Sequence, residues 1–99
     1  MNNENEAQEN RMSDVEWVKQ ITLIEIRTLK SREQTYLHRI QKNAHKISKE
    51  FSGDYIRAYM KEMNSDFAEL QHVRGELQVY LNIANGLKLD YKAYDNHIG

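Results

Sequence analysis

In the second half of this chain the apolar residues fall three and four apart, and no other feature constrains the fold as strongly. Ile56, Met60, Met63, Phe67 and Leu70 begin the series, and Val73, Leu77, Tyr80, Ala84, Leu87, Tyr91, Tyr94 and Ile98 continue it. Such alternation keeps one stripe of a helix turned toward a neighbouring helix, as in coiled coils. The stretch from Ile56 to Leu87 therefore reads as an interface seam. Two successive three-residue steps about Leu70 read as a stammer, which overwinds the pairing locally. Asn85-Gly86 offers a C-cap within the series, although the spacing continues past it.

The first half supplies a second helix. The chain has no proline, so nothing in it forces a helix to stop. Ser13-Asp14-Val15-Glu16 has the form of a capping box and predicts a start at Ser13. Beyond it Val15, Val18, Ile21, Ile26, Leu29, Tyr36, Leu37, Ile40, Ala44 and Ile47 recur at mostly helical intervals, with a polar gap from Lys30 to Thr35 that reads as a break near Ser31 or a wide polar face. The β-branched piece from Ile21 to Thr28 could form a strand, but it has no second strand to pair with. Phe51-Ser52-Gly53-Asp54 separates the halves, with Ser52 or Gly53 placed to cap and Asp54 suited to the positive end of the next helix. The expected fold is all-α, an antiparallel two-helix hairpin: helix 1 over about 13–49, a turn at 50–53 and helix 2 over about 54–96. Two rods enclose no core, so a second hairpin is expected to complete a four-helix bundle.

Charge is distributed unevenly along the 99 residues: residues 1–16 sum to −4, residues 17–50 to +5 and residues 51–99 to −2. The first twelve residues are acidic, Asn-rich and without aromatics, which predicts a disordered tail over 1–12. A basic segment followed by an acidic one suits two antiparallel helices that neutralise each other. With no cysteine there is no disulfide framework and no thiolate chemistry. No apolar run approaches the roughly 20 residues that span a bilayer, and the N-terminus lacks the basic and apolar regions of a signal peptide. Synthesis in the cytoplasm without a cleaved signal, and no membrane insertion, are expected.

Catalytic patterns are weak. His38 and His45 lie seven apart, with His72 and His97 elsewhere, and no carboxylate at the spacing that completes a metal set. No serine has a nucleophile-elbow context and no glycine-rich phosphate loop occurs. Asp66 and Glu69 sit at a helix-surface interval without a pocket to separate their acidities. A non-enzymatic protein without cofactor or metal is the reading. Arg27, Lys30, Arg32, Arg39, Lys42, Lys46 and Lys49 could line phosphate contacts along helix 1. However, Asp54, Glu62, Asp66, Glu69, Glu76 and Asp90 lie on helix 2 within reach of those cations, which disfavours nucleic acid. Tyr55, Tyr59, Tyr80, Tyr91 and Tyr94 suit a protein interface or the packing of a bundle.

The residues also resemble the WXG100 family of small type VII-secreted helical hairpins. The turn Phe51-Ser52-Gly53 corresponds to the family's W-x-G, with Phe where the family usually has Trp. Tyr91-Lys92-Ala93-Tyr94-Asp95 is similar to its C-terminal YxxxD/E secretion signal, carried here by Tyr91 and Asp95. Ile56 and Tyr59 match apolar or aromatic positions five and eight beyond the Trp, while Tyr55 stands where a small residue is usual. The resemblance spans roughly residues 13–95. It implies a homo- or heterodimeric four-helix bundle in which the tail of one chain lies beside the turn of the other, forming a composite signal read by a membrane ATPase. It also implies a second role, as targeting partner or chaperone of a larger secreted toxin, docked on that toxin's N-terminal helical region; the F-x-G form favours this. The implied partners are thus the chain itself or a homologous hairpin, the toxin and the ATPase. The alternative is an intracellular helical module, such as a phage or mobile-element regulator, that binds a host protein or nucleic acid.

Overall fold

A computed structural model of the chain describes the backbone over residues 3–91 and the side chains from 14 to 91. Two helices, α1 (Asn3–Lys49) and α2 (Gly53–Gly86), pack side by side as an antiparallel hairpin, and the described residues contain no strand. Helix α1 begins ten residues before Ser13, where the sequence suggested a disordered tail and a capping box. The physical reason is local: Glu4, Ala7, Gln8, Glu9, Arg11 and Met12 favour helix, no Gly or Pro interrupts them, and acids suit a helix N-terminus. Nor does α1 break at Ser31. Neither helix is long and apolar enough to cross a membrane.

The seam differs from the apolar list in an instructive way. Burial on α2 follows Ile56, Tyr59, Met63, Asp66, Leu70, Val73, Leu77, Tyr80, Ala84 and Leu87, an unbroken alternation of three and four. There is no stammer. The series passes through Tyr59 and Asp66 in place of Met60 and Phe67, which are half-exposed. Helix α1 answers with Thr22, Ile26, Leu29, Glu33, Tyr36, Ile40, Asn43 and Ile47, so Glu33 bridges the apparent polar gap. In heptad terms the a positions are 26, 33, 40 and 47 on α1 and 56, 63, 70, 77 and 84 on α2. The d positions are 22, 29, 36 and 43 on α1 and 59, 66, 73, 80 and 87 on α2.

Three of the polar insertions in this seam have partners. The Thr22 hydroxyl, buried with its residue, donates to the Val18 carbonyl at 2.7 Å. Glu33 accepts from Arg74 Nε of the other helix at 3.0 Å. Asp66, whose side chain is almost fully buried, receives Arg39 of α1 at 3.1 Å through Oδ1, while its Oδ2 has no hydrogen-bond partner. Each helix thus places an acid in the seam and takes an arginine from the other. These pairs fix the register, because a slip of one heptad would strand two carboxylates in an apolar seam.

The two ends of the hairpin are closed differently. At the turn, Ser52 has extended backbone (φ −79°, ψ 121°) and its carbonyl accepts the first α2 bond from Ile56 N at 3.0 Å, but its hydroxyl makes no capping bond. Glu50 organises the turn: its Oε1 accepts from the amides of Phe51 and Ser52 at 3.0 and 3.1 Å. Gly53 has no left-handed backbone, and a Cβ there would meet only the end of Arg57, at 3.8 Å. Its small size is not a requirement of this turn. At the far end α2 stops at Gly86, short of the expected limit near residue 96. The stop is a Schellman motif, with Lys88 N bonded to Asn85 O, Leu89 N to Ala84 O, and Lys88 in the left-handed region at φ 57°. The cap therefore lies two residues beyond Gly86, on a residue whose Cβ disfavours that conformation.

Candidate interaction surface

The heptad frame divides the hairpin into two unlike flanks. In an antiparallel pair, g positions face g positions on one side and e positions face e positions on the other. The g flank carries Arg32, Arg39 and Lys46 from α1 and Glu62, Glu69 and Glu76 from α2. Arg39 reaches Glu62 at 4.0 Å as well as Asp66, and lies over the Tyr36 ring at 5.7 Å. Lys46 sits 5.4 Å from the Tyr59 ring centroid. The expected neutralisation of α1 by α2 is therefore local. Asp54 pairs with Arg57 and Glu76 with His72, both within α2.

The e flank is apolar. It carries Leu23, Leu37 and Ala44 from α1 and Met60, Phe67 and Leu81 from α2, interrupted only by Lys30 and Arg74. In the observed register Leu37 lies level with Phe67 and Ala44 with Met60. Met60 is 51% exposed and Phe67 45%, far more than the seam residues beside them. These two residues belong to a lateral surface and not to the contact between α1 and α2. Their seam neighbours Leu70, Val73, Leu77 and Ala84 are buried against α1, and Ile56, Met63, Tyr80 and Leu87 are half-buried.

The turn motif has a different geometry from a packing anchor. Phe51 is 97% exposed and touches no core residue, while Tyr55 one helical turn on is also exposed. Burial of Phe51 by a partner would contribute about 2 kcal/mol from transfer out of water. Tyr91 behaves in the opposite sense. It lies in the turn after α2, half-buried against the cluster of Ile26, Leu29, Val73, Leu77 and Ala84, with Lys30 Nζ 5.9 Å from its ring centroid. Asp95, the other half of the sequence-predicted signal, lies outside the described residues, as do Tyr94, His97 and Ile98. Phe51 and Tyr91 lie well apart on the rod, Phe51 at the turn and Tyr91 beside Lys30, some 30 Å along α1 from it.

Exposed apolar residues also lie outside the seam and the e flank. Trp17, the single tryptophan, is 62% exposed on the outer face of α1, with Ile24 two turns further on the same face. Their f positions on the heptad are the signal that could have flagged them. Among the described residues no group of His, Asp and Glu side chains could hold a metal ion. Comparison with protein-family models, curated proteins and solved structures finds no match to this chain.

Proposed function

We propose that this protein is a non-enzymatic assembly hairpin that pairs through its e flank with a second helical hairpin, and that the pair serves a type VII-like secretion system as a secreted dimer or as targeting partner of a larger toxin. The observation that carries this reading is Phe51, an almost wholly exposed aromatic at the tip of a rod that also has one apolar flank. A bare phenylalanine and a one-sided stripe of Leu, Met and Phe are what a further helix pair needs for knobs-into-holes packing.

The geometry of such a pair explains how tip and tail could meet. If two hairpins pack head to tail about Leu37 and Phe67, Phe51 lies about 21 Å from the centre. The same distance in the other direction reaches Leu23, beside Leu81 and the Tyr91 turn. Phe51 of one hairpin then lies near the tail of the other, which is the composite arrangement that the family resemblance implies. A toxin's helical hairpin could take the place of the second copy by the same contacts. The reading of helix 1 as a nucleic-acid face is weaker, since Arg39 and Lys46 are engaged within the hairpin.

Light scattering on the purified chain tests the pairing. Phe67→Asp should leave the helical circular dichroism signal intact and abolish the paired species; unchanged mass for this variant would sink e-flank pairing. Export is tested by immunoblot of culture supernatant with a lysis marker, comparing wild type with Asp95→Ala. Loss of the supernatant signal at constant cell content is expected, and equal export of both would remove the signal from this tail.

A further inference from the structure

The charged g flank does not reach the open end of the hairpin. Beyond Arg32 and Glu76 its positions, Glu25 apart, are filled by Val18 of α1 and Ile83 of α2, with Trp17, Ile24 and Val79 exposed beside them. Ile83 lies level with the half-buried Ile21, so these side chains form one apolar patch across both helices, on the side of the rod away from the e flank. Next to it on the outer face of α1 is a hollow of about 510 Å³ lined by Ile24, Arg27, Thr28, Ser31 and Arg32. We propose that this patch is a self-association face occupied by α1 of a second copy, lying antiparallel so that Trp17 of each chain fills the hollow of the other.

Shape and charge select the same register. With Trp17 level with Thr28 of the second copy, the two-fold axis falls between Thr22 and Leu23, and Ile21 of each chain meets Ile24 of the other. Arg27 at the edge of the hollow then borders the indole, a cation–π arrangement. In this register Asp14 lies level with Ser31 of the second copy, between Arg27 and Arg32. None of Asp14, Arg27 and Arg32 has an ion pair among the described residues. More broadly, α1 is acidic up to Glu16, whereas residues 26–32 carry cations and no acid. An antiparallel contact between two copies sets acid against base twice, and a parallel one would set like against like. Asp14, Glu16 and Glu25 around the patch favour this occupant over an anionic lipid surface.

This contact stands apart from e-flank pairing and goes beyond it. Where the e-flank partner is another copy, each chain carries two self-complementary faces, and assembly continues past the dimer. Where that partner is a different hairpin, the Trp17 contact joins two such complexes through this chain alone.

Trp17, the single tryptophan, reports the contact directly. In the Phe67→Asp background, where the e flank is blocked, raising the concentration from low micromolar to several hundred micromolar should move tryptophan emission to the blue in step with a rise in mass from monomer to dimer by light scattering. Adding Ile24→Asp should hold emission and mass at their monomer values with helical circular dichroism unchanged, since Ile24 is exposed in the hairpin. Asp14→Arg should weaken association about tenfold, and Arg32→Asp in the same chain should restore most of the loss. Emission that does not change with concentration overturns the proposal, as does dimerisation without a blue shift or a shift that Ile24→Asp leaves in place. A blue shift produced by vesicles of neutral and anionic phospholipid, and not by concentration, would make the patch a lipid contact and overturn it equally. The e-flank pairing is read separately, from the difference in mass between wild type and Phe67→Asp.

Discussion

The two ends of the hairpin are held together by different physics. Toward the open end the seam is mostly apolar and closed: Ile26, Leu29, Val73 and Ala84 are fully or almost fully buried, with Tyr36, Tyr80, Leu81, Leu89 and Tyr91 packed around them, and the buried Thr22 hydroxyl is bonded within α1. Toward the turn the seam passes through Asn43 and Asp66, its apolar members Ile47, Ile56 and Met63 are only half-buried, and Arg39 and Lys46 supply charge and cation–π contacts. One end therefore draws its stability from burial and the other draws its register from polar pairs. A uniformly apolar seam would hold more tightly but would tolerate slippage by a heptad; the buried carboxylate penalises it.

The largest effect that could break this contrast is a charge in the closed end. Val73→Asp should cost about 4 kcal/mol or more and abolish the cooperative thermal transition, because an unpaired carboxylate would replace a fully buried side chain. Met63→Asp, half-buried near the turn, should cost only about 1–2 kcal/mol in the same melt. Similar losses at both sites would show that the ends do not differ.

Next in size is the arginine at the polar end. Arg39→Ala should destabilise by about 2–3 kcal/mol in urea titration, less than the roughly 3–5 kcal/mol of a fully buried pair, because about half of the Arg39 side chain is exposed. Asp66→Leu should be neutral or stabilising by about 1 kcal/mol, at the expense of register. A destabilising Asp66→Leu would mean that the carboxylate contributes net energy as well as alignment.

Smaller gains are expected at two backbone positions. Lys88→Gly removes the cost of a side chain in the left-handed region and should add roughly 1 kcal/mol at the closed end. Gly75→Ala, in mid-helix with open space around its Cβ, should add about 1 kcal/mol. Gly53→Ala should be harmless to the fold for the same steric reason. If it nevertheless weakens pairing or export, the F-x-G glycine serves a partner and not the turn.

Much of the fold was legible because its signals are local. The absence of proline, the three-four spacing and the polar Ser52-Gly53-Asp54 stretch between the two series were enough to specify two long helices and a reversal between them. The choice of seam residues was less legible, for a geometric reason. Neighbouring residues are separated by only about 100° around a helix, so Tyr59 and Met60, or Asp66 and Phe67, are near-equivalent until the second helix is placed. A reading that favours apolar residues selects Met60 and Phe67, and so inserts a stammer where the helix has none. The error merged two surfaces, the internal seam and the lateral flank, into one.

What the sequence by itself determined is thus the class of structure: helices, their number, the turn and the need for apolar burial along one stripe, all set by residue propensity and periodicity within single segments. What only the tertiary structure decided is which residues look inward. Asp66 belongs in the seam because Arg39 of the other helix reaches it, Glu33 because Arg74 does, and Phe51 is left exposed at a turn whose first two amides bind the Glu50 carboxylate. Each of these depends on groups that are distant in sequence or on backbone geometry, and neither is encoded in the spacing of apolar residues.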